Sequence, residues 1–181
     1  MLTAGITLSA VKTERAGVIP YTIINNKVFF LLAKHKFSGD LGDFGGGVKK
    51  EETSLKGAIR EYYEESGSIF INEKADYDHS LALLDNKMAI LFLYIQKEWY
   101  GKAEKVFAKQ KKAETMYPSC RQGTDEISDI LWVSESQFVN LVKYPKSRRY
   151  QSDNLKLWKL IVNFFKKIDI KNLMEKIKNV Q

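Results

Sequence analysis

The sequence has very little cysteine and histidine. Its single cysteine, Cys120, excludes an intrachain disulfide and a cysteine-based zinc site. The only two histidines are His35 and His79, so a histidine-rich metal centre is excluded as well. Disulfide-stabilised scaffolds and thiolate or imidazole metal sites are therefore set aside.

Long apolar segments are also absent. No run of eighteen apolar residues occurs, and the N-terminal residues lack the basic, apolar and small-residue pattern of a signal peptide. We therefore expect a soluble, cytoplasmic protein that does not contact a membrane. Hydrophobic residues make up 44% of the 181 residues, which is enough for a full core. A chain of this length predicts one domain, or one domain with an extension.

Positive charge is concentrated in the C-terminal part of the chain. Residues 141–181 contain eleven Lys and Arg but only three Asp and Glu, a net charge of +8, which leaves the rest of the chain at −1. Such a region attracts polyanions, for example RNA or a highly phosphorylated small molecule. The alternative is a lysine-rich helical face that is simply solvated. We predict one main domain over residues 1–143 and a basic helical extension, packed on the same domain, over residues 144–181.

The most informative stretch is GGVKKEETSLKGAIREYYEESGS, residues 46–68. Within it, apolar residues recur at i, i+3, i+4 and i+7 over residues 54–66, which predicts an amphipathic helix with one face towards a core. Thr53 or Ser54 can cap the start of this helix, and Gly67 can end it.

Three glutamates lie on one face of the predicted helix. Glu61, Glu64 and Glu65 stand at i, i+3 and i+4, within about 100° of one another around the axis. Glu61 and Glu65 repel each other, and both lie near the helix C-terminus, where the dipole disfavours anions. A hard divalent cation relieves both problems, because Mg²⁺ and Mn²⁺ bind carboxylate oxygens. The alternative is a solvated helix on which basic residues pair with the glutamates.

This stretch resembles the Nudix box, whose pattern is G-x5-E-x7-R-E-U-x-E-E-x-G-U with U an aliphatic residue. All seven named positions match at the required spacing: Gly46, Glu52, Arg60, Glu61, Glu64, Glu65 and Gly67. The two U positions depart from the pattern, because they hold Tyr62 and Ser68. Tyr62 is an apolar replacement, and we expect Ile69 or Phe70 to take over the packing role of the second position.

The resemblance implies an α/β fold of the Nudix type, an α/β/α sandwich around a mixed β-sheet, over about residues 16–143. It implies a hydrolase that uses Mg²⁺ or Mn²⁺ to cleave a phosphoric anhydride bond in a nucleoside diphosphate linked to another group. The residues that match the family's metal ligands are Glu61, Glu64 and Glu65, with Glu52 as a further ligand in some members. Arg60 matches the arginine that orients these glutamates, and one of the glutamates acts as general base in some members.

Other site candidates flank the box. The glycine run of Gly45, Gly46 and Gly47 precedes the helix, and its backbone can approach a ligand closely. Lys34, His35 and Lys36 follow a predicted strand and could meet substrate phosphates, or could simply be exposed. Phe44 enters the glycine run and is either a substrate contact or a core residue.

The resemblance implies that a carboxylate in the loop before the last predicted strand serves as a further metal ligand or as the general base, and a base within reach of the metal-bound water is chemically suitable. Glu126 is the first candidate and Asp125 the second, and the alternative is a pair of surface acids. Stacking on a base could involve aromatic residues after the central strand, although packing is the alternative for each: Trp99, Tyr100, Phe107 and Tyr117.

The remaining pattern predicts the course of the chain around the box. We expect a hairpin over residues 16–24 and 27–33, a loop over 37–42, strands over 80–84, 88–96 and 127–133, and a helix from Ser134 to Val142. The run MAILFLYIQ predicts a central strand that is buried on both faces. Residues 97–124 show no clear period and are interpreted as a long loop. Residues 1–14 predict an edge strand or a mobile arm, and helices are expected from Asp153 and over 173–180.

The substrate is less clearly indicated. We find no match to the short motifs that mark NADH or ADP-ribose members, nor to the tyrosine that marks diadenosine-polyphosphate members. The basic C-terminal region favours the 5′ cap of RNA, and therefore mRNA decapping. Inositol pyrophosphates, dinucleoside polyphosphates and (d)NTPs are the alternatives, and a catalytically silent nucleotide- or RNA-binding protein is the alternative of another class.

Overall fold

The computed structural model describes residues 1–116, 124–145 and 155–179. Its strands are Leu2–Ala4 (β1), Arg15–Ile24 (β2), Lys27–His35 (β3), Leu41–Gly42 (β4), Phe44–Gly47 (β5), Leu81–Leu84 (β6), Met88–Tyr94 (β7) and Ile127–Ser134 (β8). Its α-helices are Ser54–Ser66 (α1), Lys74–His79 (α2), Ala103–Met116 (α3), Glu135–Lys143 (α4), Lys159–Phe165 (α5) and Ile170–Asn179 (α6). Tyr117, Cys120 and the helix start expected at Asp153 lie outside the described residues.

The strands form one mixed sheet in the order β1-β6-β7-β2-β3-β4. The long strand β2 is its centre, because it runs parallel to β7 and antiparallel to β3. The first half of β2 also pairs with β5, which holds the glycine run opposite Arg15–Val18. Strand β8 pairs with the other side of β3. The pairing therefore places the start of the box at one end of the central strand.

Side chains of the central strands alternate between two hydrophobic cores. Along β7, Met88, Ile90 and Phe92 pack in a core with α4, α5 and α6, whereas the residues between them pack in a second core with α1, α2 and α3. This alternation follows from the two-residue period of a strand that is covered on both faces. The predicted α/β/α sandwich around a mixed sheet is confirmed.

The C-terminal residues contribute to the first of these cores. Nine side chains are buried there together with sheet residues: Leu157, Ile161, Val162, Phe164, Phe165, Ile170, Leu173, Met174 and Ile177. Three of the seven lysines in residues 155–179 form ion pairs with acids earlier in the chain, at 2.9 to 3.4 Å. The boundary at residue 143 stays a prediction, but the described residues beyond it pack against the sheet.

The expected long loop over residues 97–124 is wrong for most of its length. A short 3-10 turn, Lys97–Trp99, leads into α3. Helix α3 buries Ala103 and Phe107 against the sheet, while most of its other residues are Lys, Glu, Gln and Ala, which are good helix formers. Its apolar face is so narrow that the sequence shows almost no helical period.

Two shorter segments also bear on the predicted course of the chain. Leu41–Gly42, expected in a loop, forms β4 because its backbone pairs with the end of β3. At the N-terminus, Leu2–Ala4 pairs with β6 at the edge of the sheet, but Gly5–Ser9 forms a 3-10 helix, so the edge-strand alternative holds for three residues only. None of the helices in the described ranges combines the length and apolar character needed to span a bilayer.

Candidate active site

Helix α1 forms as its sequence predicts. The Thr53 hydroxyl accepts a hydrogen bond from the Lys56 N–H, and Gly67 ends the helix with a φ of 65°. Tyr62 lies on the buried face, and the Phe70 ring stacks on it with centroids 5.9 Å apart and planes 8° from parallel. Phe70 therefore takes over the packing role that the box assigns to the position of Ser68.

Arg60 holds three of the four box glutamates together. Its Nε and Nη2 donate to the two carboxylate oxygens of Glu52 at 2.7 and 3.0 Å. Its Nη1 donates to Glu61 at 2.6 Å and to Glu64 at 3.2 Å. The same guanidinium donates to the Gly47 carbonyl at 3.0 Å, which ties the helix to the glycine run. These hydrogen bonds from Arg60 lower the pKa of Glu52 to about 2.

Glu65 points into the protein instead. Its side chain is buried, with the residue only 4% exposed, and its Oε2 accepts a hydrogen bond from the Gly45 N–H at 2.7 Å. Burial, together with the nearby charge of Asp43, raises the pKa of Glu65 to about 9. The carboxyl is therefore protonated at neutral pH unless a cation stabilises its charge.

Gly46 allows Glu61 to lie directly against β5. A Cβ built on Gly46 would lie 2.5 Å from the Glu61 carboxylate, whereas a Cβ on Gly47 would meet no atom within 4 Å. The missing side chain at Gly46 is therefore what brings the carboxylate and the strand into contact.

An ion pair that the sequence does not reveal fixes the other side of β5. Arg15 donates to the buried Asp43 carboxylate at 2.6 Å and to the Gly45 carbonyl at 2.7 Å. The attraction of Asp43 keeps the pKa of Arg15 raised, although burial alone would lower it. The second oxygen of Asp43, Oδ1, has no hydrogen-bond partner among the described residues. The pairing of β2 with β5 is what brings Arg15 to Asp43.

A cleft of about 720 Å³ opens beside these groups. Its lining consists of Glu14, Arg15, His35, Phe37, Ser38, Gly45, Gly46, Gly47, Glu65, Glu126 and Trp158. Glu126 is the last residue of a 3-10 turn, Thr124–Glu126, and lines the same cleft as the glycine run. The structure therefore brings together the glycine run, Glu65 and the predicted base candidate Glu126.

Several predicted contacts do not line the cleft. Among Lys34, His35 and Lys36, His35 lines the cleft and the two lysines do not. Burial, ahead of the effect of nearby charges, lowers the pKa of His35. Phe44 is fully buried against Tyr62, so it belongs to the core. Asp125 is not part of the lining either.

The aromatic candidates for base stacking also lie elsewhere. Phe107 is buried in the core, and Trp99 packs against Phe70 with centroids 5.0 Å apart. The ring of Tyr100 packs against Phe29 and Trp132. Tyr117 lies outside the described residues. Trp158 lines the cleft as well, and the sequence analysis did not predict it as a site residue.

The donor chemistry fits a hard divalent cation. The candidate ligands of the box are carboxylates, and one of them, Glu65, is buried without an ion pair among the described residues. In the part of the chain that the structure describes, no three His, Cys, Asp or Glu side chains are grouped as a cation site. Arg60 instead pairs with Glu52, Glu61 and Glu64. The predicted metal-binding roles of Glu52, Glu61, Glu64 and Glu65 therefore stay a proposal.

No protein-family model and no curated protein matches this sequence. Among solved structures, a C. elegans Ap4A hydrolase binary complex is similar at 14% identity, with 86% of this chain and 96% of that chain covered and a TM-score of 0.41. A mutT/nudix family protein from Listeria innocua is 15% identical, with 92% and 97% covered and a TM-score of 0.49. Shewanella oneidensis NrtR complexed with a 27mer DNA is 12% identical, with 72% and 53% covered and a TM-score of 0.35.

These three TM-scores are below 0.5, so the similarities show nothing about the activity of this chain. The box residues stand at the spacing of the Nudix pattern, and they form a strand, a helix and a terminal glycine turn beside a mixed sheet between two helical layers. In its box and in the fold around it, the chain resembles the Nudix family.

Proposed function

We propose that this protein is a divalent-metal-dependent hydrolase of phosphoric anhydride bonds. Its substrate would be a nucleoside diphosphate linked to another group. One observation carries the proposal: Arg60 and the Gly45 N–H hold four carboxylates beside the glycine run, which lines an open cleft together with Glu65. Arg60 supplies one positive charge for three of these carboxylates, and Glu65 is buried without an ion pair among the described residues, so a bound cation would be stabilising there.

Mg²⁺ or Mn²⁺ would be held by Glu61, Glu64 and Glu65, with Glu52 as a further candidate ligand. When bound, the cation would polarise the phosphorus centre and lower the pKa of a water molecule. The backbone of Gly45 to Gly47 faces the cleft without side chains, which leaves room for phosphate oxygens to approach.

Two charged side chains of the cleft are suited to the chemistry itself. Arg15 lines the cleft and is fixed by Asp43, so it can stabilise negative charge that develops on a phosphoryl group. Glu126 is an exposed carboxylate on the same cleft and is suited to accept a proton from the attacking water.

The test is a mixed panel of substrates with product identification by mass spectrometry, in Mg²⁺ and in Mn²⁺. The panel contains capped RNA, a dinucleoside polyphosphate, an inositol pyrophosphate, ADP-ribose and (d)NTPs. Glu64→Gln should abolish turnover, whereas Glu51→Gln, at an exposed and unmatched position of the same box, should not. Retained turnover in Glu64→Gln would refute the site assignment. Binding of nucleotides without any cleavage would favour the catalytically silent alternative.

Capped RNA, the substrate favoured by the basic C-terminal region, is kept as the finer proposal. Its support is charge: four exposed lysines on the described C-terminal residues form no ion pair within 4 Å among the described residues, namely Lys159, Lys166, Lys171 and Lys176. If this surface binds RNA, replacing these four with Gln should weaken binding and reduce its salt dependence. Unchanged affinity and salt slope in a folded variant would remove the proposal. Replacement is preferable to deletion, because the same region supplies core residues.

A further inference from the structure

Backbone pairing places Trp158 in the candidate active-site cleft. Leu41 donates its N–H to the Lys156 carbonyl at 2.7 Å, and its own carbonyl accepts from the Trp158 N–H at 2.8 Å. Leu157, between them, is buried in the core beside the sheet. The C-terminal residues thus extend the sheet at β4, and the position of Trp158 is set by the main chain.

The indole ring of Trp158 lies among other cleft residues. The Arg15 guanidinium carbon is 5.0 Å from the ring centroid, a cation–π distance. The His35 ring lies 5.7 Å from it, with planes tilted by 52°. Since Arg15 is held by Asp43, these contacts give Trp158 a defined orientation in the free protein.

Phe37 is a second aromatic ring on the same cleft. It is 90% exposed, which is unusual for a phenylalanine, and its only ring contact among the described residues is with Lys36, whose Nζ lies 6.0 Å from the centroid. An aromatic ring exposed beside a polar cleft gains from being covered by another planar group.

We infer that Trp158 and Phe37 bind a planar aromatic group of the substrate, a nucleobase, and so determine specificity for nucleotides over plain pyrophosphates. The cleft has the volume typical of small-molecule sites, and its glycine run and carboxylates lie on the same lining as these rings. The phosphates and the base would therefore occupy different parts of one cleft. The placement of the phosphates in this inference rests on the proposed function, whereas the binding of the base by the two rings does not.

The test measures binding without turnover. Dissociation constants for four nucleoside diphosphates and for inorganic pyrophosphate are measured by calorimetry in Mg²⁺. Trp158→Leu and Phe37→Ala should each weaken binding of the preferred nucleoside diphosphate roughly tenfold, as expected for loss of one stacking contact, and leave pyrophosphate binding unchanged. Trp158→Phe, which keeps an aromatic ring, should lose less. Ile71→Ala is the matched control, because Ile71 is 94% exposed and does not line the cleft.

Two results would overturn the inference. Equal weakening for nucleoside diphosphates and pyrophosphate would mean that Trp158 only supports Arg15. Unchanged nucleotide binding in both Phe37→Ala and Trp158→Leu would mean that neither ring contacts the base. Should Trp158→Leu fail to fold, the exposed Phe37 still provides the test. A protein that binds nucleotides through these rings but cleaves nothing would refute the proposed function and leave this inference standing.

Discussion

Gly46→Ala should separate activity from stability. The added Cβ would lie 2.5 Å from the Glu61 carboxylate, and ordinary contact begins at 3.4 Å, so the carboxylate must move by about 1 Å. Because it is the far end of a flexible side chain, the stability change should stay within about 1 kcal/mol. A displacement of about 1 Å at a reacting site can lower the rate about a hundredfold, which corresponds to about 2.7 kcal/mol in the activation barrier.

Gly47→Ala is the matched control on the same strand. A Cβ there meets no atom within 4 Å, so stability and activity should both stay close to those of the parent protein. The assays are urea unfolding, Mn²⁺ affinity by calorimetry, and kcat/KM on the substrate found in the panel. If Gly46→Ala matched Gly47→Ala in both Mn²⁺ affinity and kcat/KM, the assigned contact between Gly46 and Glu61 would have no functional meaning.

Three further predictions concern stability. In EDTA, the pKa of Glu65 is about 9 in the folded protein and near 4.5 in the unfolded chain. The free energy of unfolding, measured in urea, should therefore fall by about 2 to 3 kcal/mol between pH 6.5 and 8.5, because only the unfolded chain loses this proton in that range. Glu65→Gln should remove this slope, and an unchanged slope would contradict the buried carboxyl as its source. Gly67→Ala should lower the free energy of unfolding by about 1 kcal/mol, because φ at this position is 65° and the new Cβ would meet Gln110. An unchanged free energy of unfolding would show that the alanine is not strained at this helix end. Phe70→Ala should cost about 3 kcal/mol through loss of its stack on Tyr62, and Phe70→Leu should cost clearly less in thermal unfolding.

The box was the most predictable part of the protein, because its signals are local. The cap at Thr53, the stop at Gly67 and the apolar face through Tyr62 all lie within one helical segment, where spacing alone decides which side chains share a face. The buried alternation of β7 was predictable for the same reason, since a two-residue period in an apolar run specifies both faces.

Contacts between distant segments were not predictable in this way. Arg15 and Asp43 are 28 residues apart, and they meet only because β2 pairs with β5 in one register. Trp158 reaches the cleft because residues 156 to 158 pair with Leu41, and a helical period cannot indicate such a contact. The sequence of a strand constrains its faces far better than its partners.

The geometry around Arg60 suggests different roles for glutamates that the box treats together. Glu52 receives two hydrogen bonds from the guanidinium, at 2.7 and 3.0 Å, whereas Glu61 and Glu64 receive one each. Two hydrogen bonds from one guanidinium to one carboxylate hold it more strongly than a single bond does, so a cation would compete least well for Glu52. Glu64 has the longest bond, 3.2 Å, and a side chain that is 45% exposed, so it is the glutamate most easily transferred from Arg60 to a metal. Arg60 can therefore keep its position through Glu52 and Gly47 while it releases the carboxylates that the cation needs.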